Sequence, residues 1–158
     1  MEKSIRKATK EDVGLILDFI KKLAKYEKMS DQVVANEQLL SEWLFDKKVA
    51  QVIFAMEGEK EVGFALYFHN FSTFLGRAGI YLEDLFVLPE YRGKGYGKLL
   101  LKVLAKTAVE LGCGRLEWCC LDWNKPSIDF YESIGAKIMQ EWKVFRLTGE
   151  NLQNLSKE

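Results

Sequence analysis

Residues 88–98 read Leu88-Pro89-Glu90-Tyr91-Arg92-Gly93-Lys94-Gly95-Tyr96-Gly97-Lys98. The three glycines stand at alternate positions, and glycine adopts backbone angles that let successive N–H groups converge on an anion. Three basic residues lie within the same segment, namely Arg92, Lys94 and Lys98. A strand is predicted before the segment and an amphipathic helix after it. This context favours a phosphate held at a helix N terminus over an ordinary glycine-rich surface turn.

Two common phosphate-binding motifs do not fit this segment. A Walker loop requires Gly-Lys followed by Ser or Thr, whereas Gly95 follows Lys94. A dinucleotide fingerprint requires Gly-x-Gly-x-x-Gly early in a βαβ unit, whereas the spacing here is Gly93-x-Gly95-x-Gly97. Both nucleotide-binding classes are therefore disfavoured.

The sequence before residue 88 predicts one long helix and several strands. Thr9, with Asp12 three positions later, resembles a capping pair, and the helix that it opens ends at about Tyr26. A second, shorter helix is predicted for residues 36–45. The predicted strands span residues 3–8, 49–56, 62–68 and 80–88, and the middle two form an antiparallel pair across a charged turn.

Behind the glycine-rich segment, helices and strands alternate. A long amphipathic helix stops at Gly112, residues 115–121 predict a strand, residues 126–134 a short helix, and residues 137–147 a closing strand. This order predicts an α+β fold with a mixed, largely antiparallel twisted sheet of about six or seven strands and helices on both faces. We expect a single domain over residues 1–158.

The composition is that of a packed globular protein without a polyanionic partner. Of the 158 residues, 48% are hydrophobic and 29% are charged, which is too apolar for a disordered chain. The 23 basic residues equal the 23 acidic ones in number, so neither nucleic acid nor an anionic membrane is expected as a partner. No stretch approaches the ~20 apolar residues of a membrane span.

Cysteine usage and the N-terminal sequence predict a cytoplasmic protein without a metal site. Residues 1–10 are charged and lack the apolar core of a signal peptide. Cys113, Cys119 and Cys120 form an odd set, which argues against a disulfide framework. Because Cys119 and Cys120 fall in a predicted buried strand, we interpret them as core residues rather than as metal ligands or nucleophiles.

The glycine-rich segment and three other stretches resemble one enzyme family. The pattern Arg92-x-x-Gly95-x-Gly97 matches the Arg/Gln-x-x-Gly-x-Gly/Ala pattern of the GNAT acetyltransferases, whose backbone amides hold the pyrophosphate of coenzyme A. Stretches similar to the spermidine/spermine N1-acetyltransferase family are residues 23–27, 81–87 and 123–131. The resemblance implies a GNAT fold and an N-acetyltransferase that uses acetyl-CoA.

Two adjacent carboxylates interrupt the apolar strand before the loop. An uncompensated carboxylate is costly in such a strand, and neighbouring strand residues point to opposite faces. We therefore expect one of Glu83 and Asp84 to face the substrate cleft and the other to be structural. The resemblance assigns Glu83 as the residue that relays the amine proton through water. The substrate contacts that it implies are Tyr26, Glu27, Ser72, Glu83 and Asp84.

The resemblance also implies which residues hold acetyl-CoA. They are Leu85, Phe86, Val87, Arg92, Gly93, Lys94, Gly95, Tyr96, Gly97, Lys98, Asn124 and Tyr131. Backbone N–H groups near Phe86 and Val87 would stabilise an oxyanion if the strand bulges or splays there. On its own, Tyr131 is interpreted as a half-buried aromatic and Asn124 as a helix cap. By the resemblance, Tyr131 is the general acid for the departing thiolate and Asn124 contacts the cofactor.

The expected function is transfer of an acetyl group to the primary amine of a small substrate by direct attack on the thioester. The polyamine-acetylating relatives carry an acidic residue in the segment aligned with residues 71–74. This chain has Ser72 there, as do relatives that act on thialysine and similar lysine-like amines. Because Glu27, Glu83 and Asp84 supply negative charge that attracts a polycation, polyamines stay a second candidate class of substrate. Two other interpretations are acetylation of protein lysines or N termini, and a catalytically idle CoA-binding module.

A symmetric homodimer is also expected. It is implied by the resemblance and by aromatic residues in predicted exposed strand positions, such as Phe68, Phe71 and Phe74. Twofold dimers are the commonest closed assembly of soluble proteins.

Overall fold

A mixed sheet of five strands forms the centre of residues 1–119, the larger of two units in the computed structural model of this chain. All 158 residues are described, and residues 120–158 form the second unit. The strands lie in chain order across the sheet: β1 Lys3–Lys7, β2 Gln51–Glu57, β3 Lys60–Ser72, β4 Arg77–Val87 and β5 Leu116–Trp118. Strands β1 to β4 are antiparallel, and β5 is parallel to β4. The predicted α+β class with a largely antiparallel sheet is confirmed.

The number of strands is five, rather than the six or seven expected. Residues 137–147, predicted as a closing strand, form no strand. A strand needs a neighbour to accept and donate its backbone hydrogen bonds, and residues 120–158 contain no other strand. The strand predicted at residues 115–121 is shorter, because β5 ends at Trp118.

Helix α1 (Val13–Tyr26) covers one face of the sheet. The Thr9 N–H donates to Asp12 Oδ2 at 2.7 Å, which agrees with the predicted capping pair. Buried residues on this face include Ile16, Phe19, Leu23, Phe54, Phe64 and Phe86. At the end of α1, the ring of Tyr26 lies 6.4 Å from the ring of Phe86. The packing of α1 on the sheet therefore places Tyr26, its last residue, next to β4.

Helix α3 (Tyr96–Glu110) covers the opposite face. An added Cβ on Gly97 would lie 3.8 Å from Leu85 Cδ2 and 3.9 Å from Val87 Cγ2, so the first turn of α3 packs directly on β4. Phe86 packs towards α1, whereas its neighbours Leu85 and Val87 pack towards α3. Side chains at alternate positions of β4 therefore contact the helices on opposite faces of the sheet. The prediction of helices on both faces is confirmed, and Gly112, with φ of 75°, follows the end of α3 as predicted.

The second predicted helix, at residues 36–45, has two parts. Helix α2 (Glu37–Leu40) continues into a π-helical stretch, Ser41–Asp46. Asn36 caps α2, since its Oδ1 accepts the Leu39 N–H at 2.8 Å.

Residues 120–158 contain helices α4 (Lys125–Ser133) and α5 (Gly149–Ser156). Helix α4 matches the helix predicted at residues 126–134, whereas α5 was not expected. Between them, the side chains of Trp142, Val144 and Phe145 are exposed, Phe145 to 91%. None of the helices combines the length and apolar character needed to cross a bilayer.

The cysteines do not lie where the sequence placed them. Cys119 and Cys120 are exposed, and Cys113 is half-buried. Because β5 ends at Trp118, the two adjacent cysteines lie beyond the strand that was expected to bury them. Their interpretation as core residues is wrong.

Candidate active site

The glycine-rich segment forms a tight loop that leads into α3. A 3₁₀ turn, Pro89–Tyr91, follows β4, and Gly93 and Gly95 then adopt φ angles of 75° and 91°. A side chain is strained in this left-handed region. Gly95 is the residue before α3, whose first N–H groups have no acceptor within the helix. The loop thus presents backbone donors at the positive end of a helix dipole, which is the arrangement that binds anions.

Arg92 connects this loop to β4 and α1. Its Nε donates to the carbonyl oxygen of Val87 at 3.0 Å. Its guanidinium carbon lies 4.7 Å from the centroid of the Tyr26 ring and 5.1 Å from that of Phe86, within the range of cation–π attraction. The loop and the end of α1 are therefore held against the same part of β4.

Strand β4 contains a bulge at Glu83. In the register with β3, Leu66 pairs with Asp84 and Tyr67 pairs with Leu82, so Glu83 has no opposite residue. A bulge adds one residue to a strand and interrupts the alternation of its side chains. Glu83 and Asp84 therefore do not alternate between faces as a regular strand would require, which corrects the expectation from the sequence.

Glu27, Glu83 and Asp84 form one carboxylate cluster. Burial raises the pKa of Asp84 to about 7, and the negative charges of Glu83 and Glu27 add to the effect. Burial and the charge of Glu83 also raise the pKa of Glu27. Like charges in proximity oppose one another's ionisation, and a cation among them relieves the repulsion. The cluster is therefore suited to a positively charged ligand.

Two N–H groups of β4 point away from β3 beside the loop. The Leu88 N–H donates to the Val62 carbonyl at 2.9 Å, and hydrogen-bonded and non-bonded pairs alternate along an antiparallel ladder. The N–H of Phe86 is therefore directed at β3. Those of Leu85 and Val87 are directed to the other side of β4.

On that other side, β5 ends before the loop is reached. Strand β5 pairs with β4 only over residues 80–82, so the N–H groups of Leu85 and Val87 have no partner strand. The sequence predicted such donors near Phe86 and Val87 if the strand bulges or splays there. The bulge lies at Glu83, and the donors lie beyond the end of β5. They are the N–H groups of Leu85 and Val87, whereas that of Phe86 is directed at β3.

Tyr81, for which the sequence predicted no role, also belongs to this site. Its hydroxyl oxygen lies 2.8 Å from the Sγ of Cys119. Burial, the hydrogen bond with Cys119 and the charge of Glu83 all raise the pKa of Tyr81. Its hydroxyl therefore stays protonated beside the carboxylate cluster. The signal in the sequence is its position two residues before Glu83.

Ser72 lies away from the carboxylate cluster of its own chain. It is the last residue of β3, and its Oγ accepts the Leu75 N–H at 3.1 Å in the turn to β4. Its side chain is buried, with 5% exposure. Six residues of strand separate it from Leu66, which pairs with Asp84, a distance of roughly 20 Å at the usual rise per residue. The structure gives Ser72 a role in the turn.

Helix α4 of the second unit carries the two remaining candidates. The Oδ1 of Asn124 accepts the Ser127 N–H at 3.4 Å, so its interpretation as a helix cap is confirmed. Tyr131 lies in the second half of α4, with its ring 5.6 Å from that of Phe130. The cofactor-binding and catalytic roles expected of Asn124 and Tyr131 stay predictions.

A family model and sequences from other organisms match this chain. The model, described as the acetyltransferase (GNAT) family, matches residues 17–136 and so spans parts of both units. Bovine (Bos taurus) thialysine N-epsilon-acetyltransferase is 41% identical over 96% of this chain and 96% of its own length. An L-ornithine N5-acetyltransferase from Arabidopsis thaliana is 35% identical over 97% of this chain and 87% of its own length.

A solved structure is similar over the full length. It is an integron cassette protein from the mobile metagenome of V. cholerae, with a TM-score of 0.83 and 34% sequence identity. The similarity covers 100% of this chain and 99% of the cassette protein.

Replacing Asp84 by asparagine is expected to stabilise the protein more at pH 8 than at pH 5. With a folded pKa of about 7, Asp84 holds a proton that the unfolded chain releases near pH 4, so its ionisation costs stability as the pH rises towards 7. Because asparagine does not ionise, the variant avoids a loss in the free energy of unfolding of up to about 4 kcal/mol. Thermal unfolding at both pH values measures the difference.

The control variant for this experiment is Asp18→Asn. The Asp18 carboxylate belongs to an exposed ion pair with Lys22, and such pairs contribute little. An Asp84→Asn effect that is equal at pH 5 and pH 8 would contradict the assignment of a raised pKa.

Proposed function

We propose that this chain, which belongs to the GNAT acetyltransferase family, transfers the acetyl group of acetyl-CoA to the side-chain amine of a small, lysine-like substrate. The observation that carries the proposal is the junction at the end of β4. There the anion-binding loop, the free N–H groups of Leu85 and Val87, and the carboxylates around Glu83 all adjoin one strand.

GNAT acetyltransferases use acetyl-CoA as co-substrate, and the loop fits its pyrophosphate. Gly93 and Gly95 have open space or only the end of a lysine where a Cβ would stand, so the backbone N–H groups are accessible to an anion. The proposed pyrophosphate contacts are Arg92, Gly93, Lys94, Gly95, Tyr96, Gly97 and Lys98. Leu85, Phe86, Val87, Asn124 and Tyr131 are proposed to hold the rest of the cofactor. When bound, acetyl-CoA supplies the thioester carbonyl that the amine attacks.

The carboxylate cluster is proposed to bind and deprotonate the amine. At neutral pH only ~0.1% of an alkyl amine of pKa about 10.4 is unprotonated, so a base is useful. Glu83, at the bulge, is the proposed base and acts through a water molecule. Glu27 and Asp84 add negative charge that attracts the ammonium, and Tyr26 lies next to Glu27 at the end of α1.

The N–H groups of Leu85 and Val87 are the proposed oxyanion donors. They are directed away from β3 beyond the end of β5, next to the loop that is proposed to hold the cofactor. Backbone donors that are already in place where charge develops typically contribute 10²- to 10³-fold to rate. The departing thiolate is proposed to take its proton from Tyr131.

The lysine-like substrate class is supported by the names of two relatives. The bovine relative acts on thialysine and the Arabidopsis relative on L-ornithine, and both substrates are amino acids with a terminal side-chain amine. By the resemblance, polyamine-acetylating relatives carry an acidic residue in the segment that contains Ser72. Since Ser72 lies roughly 20 Å from the cluster of its own chain, this segment is proposed to act on the substrate from the partner in the homodimer. Polyamines are the second candidate class, favoured by the three carboxylates of the cluster.

A symmetric homodimer is proposed as the working assembly. Phe71 and Phe74 near the turn between β3 and β4 are 65% and 99% exposed, which is typical of a surface that a partner covers. Light scattering at micromolar concentration tests this, and a monomeric mass would contradict it.

We also propose a cytoplasmic location. Cys113 and Cys119 form no disulfide, and Cys119 is exposed, as is usual for proteins of a reducing compartment. Fractionation of cells that produce the full chain tests the proposal, and recovery outside the cytoplasm would overturn it.

A panel of amines tests the function and the substrate class together. We expect kcat/KM for thialysine, ornithine or lysine to exceed that for spermine by at least about tenfold, since one missing charge-assisted contact is worth that much. Thiol release from acetyl-CoA is the readout, and Glu83→Gln controls for uncatalysed transfer. A preference for spermine would overturn the lysine-like assignment. Activity on lysine peptides alone would support protein acetylation. Absence of activity on every amine would support an idle CoA-binding module.

Tyr131→Phe is expected to lower kcat by about 10²-fold, the lower part of the range for general acid catalysis, because an alkyl thiolate is already a good leaving group. The variant keeps the ring, so calorimetric affinity for acetyl-CoA should change little, as expected when only a transition-state interaction is lost. Tyr67→Phe, which removes a hydroxyl from β3, is the matched control. A kcat within twofold of the unmodified protein would exclude Tyr131 as the acid.

A further inference from the structure

Lys3, at the start of the chain, reaches the anion-binding loop. Its Nζ donates to the carbonyl oxygen of Lys94 and lies 5.0 Å from the centroid of the Tyr96 ring. Lys3 belongs to β1, which is an edge strand and is three strands away from β4 in the sheet. The contact therefore joins the loop to a distant part of the same unit.

Tyr96 provides a second contact with the edge of the sheet. It is the first residue of α3, is 1% exposed, and donates its hydroxyl to Glu57 Oε2 at 2.7 Å. Burial and the hydrogen bond with Glu57 raise the pKa of Tyr96 to about 12, so the hydroxyl remains a donor at physiological pH. Glu57 ends β2 and pairs with Lys3 in the sheet.

These contacts lie on both sides of Gly95, whose positive φ of 91° suits glycine. Lys94 precedes Gly95 and Tyr96 follows it, and a Cβ built on Gly95 would lie 3.5 Å from the Lys3 Nζ. Glycine has more backbone freedom to lose than any other residue, so a loop with two of them, Gly93 and Gly95, is mobile unless it is held. A binding loop that is already ordered costs less to occupy.

We propose that Lys3, Glu57 and Tyr96 form an anchor, called the loop anchor below, that holds the loop at Gly95 in its anion-binding conformation. The proposal rests on the proposed function, because the anion is taken to be the pyrophosphate of acetyl-CoA. The three side chains are positioning residues, since they act on the backbone of the loop and through it on the phosphates. Lys3 also brings an ammonium group next to the loop.

The test compares acetyl-CoA with acetyl-pantetheine, which has the same thioester but no pyrophosphate. In Lys3→Met, the KM for acetyl-CoA is expected to rise about three- to tenfold, the value of one hydrogen bond. kcat, the KM for the amine, and kcat/KM with acetyl-pantetheine should stay unchanged. Lys7→Met, at the other end of β1, is the matched control for charge. Glu57→Gln, which keeps an acceptor for Tyr96, should be milder than Glu57→Ala.

Amide hydrogen exchange of the ligand-free protein tests the anchor without activity. Exchange at residues 93–98 should rise in Lys3→Met and Tyr96→Phe, while β2 stays protected. If Tyr96→Phe does not fold, the exchange result for Lys3→Met alone decides whether the loop anchor orders the loop. An equal loss with both thioesters, or unchanged loop exchange, would overturn the proposal. If the unmodified protein did not use acetyl-CoA, the proposed function would fail, whereas the exchange result would still decide whether the anchor orders the loop.

Discussion

The extra residue at Glu83 in β4 sets the position of the other groups in the candidate site. Before the bulge, Tyr81 packs with Phe68 on the face that α1 covers. After it, Phe86 lies on that face, and Leu85 packs against α3. A one-residue change of alternation sends side chains to the opposite face. Because of the bulge, β4 presents the carboxylates of Glu83 and Asp84 on the face near α1. On the opposite face it packs against the first turn of α3, which follows the loop.

The carboxylate cluster is costly for the fold, which suits it to a cationic ligand. Burial and repulsion from Glu83 and Glu27 keep the pKa of Asp84 near neutrality. The site therefore limits its own negative charge while it is empty, and a bound ammonium favours release of the remaining proton. Carboxylates whose pKa is shifted by burial and by neighbouring charges are typical of functional sites, where a buried charge that destabilises the fold is kept for its chemistry.

The loop is held from two directions. Arg92 binds it to the carbonyl of Val87 and to the aromatic rings at the end of α1, while Lys3 and Tyr96 bind it to the edge of the sheet formed by β1 and β2. Arg92 belongs to the proposed cofactor site, and its guanidinium lies next to Tyr26 of the proposed amine site. Both sites therefore depend on the same few contacts at the end of β4.

The sequence alone determined the features that depend on local order. The glycine spacing predicted the loop at Gly93 and Gly95. The apolar periodicity predicted α1, α3 and four strands, the middle two as an antiparallel pair. Side-chain period and backbone freedom are properties of neighbouring residues. Only the tertiary structure decided where β4 bulges, since a bulge is defined by the register of two strands. It also decided that residues 137–147 form no strand and that Cys119 is exposed, because pairing and burial depend on what lies opposite in space.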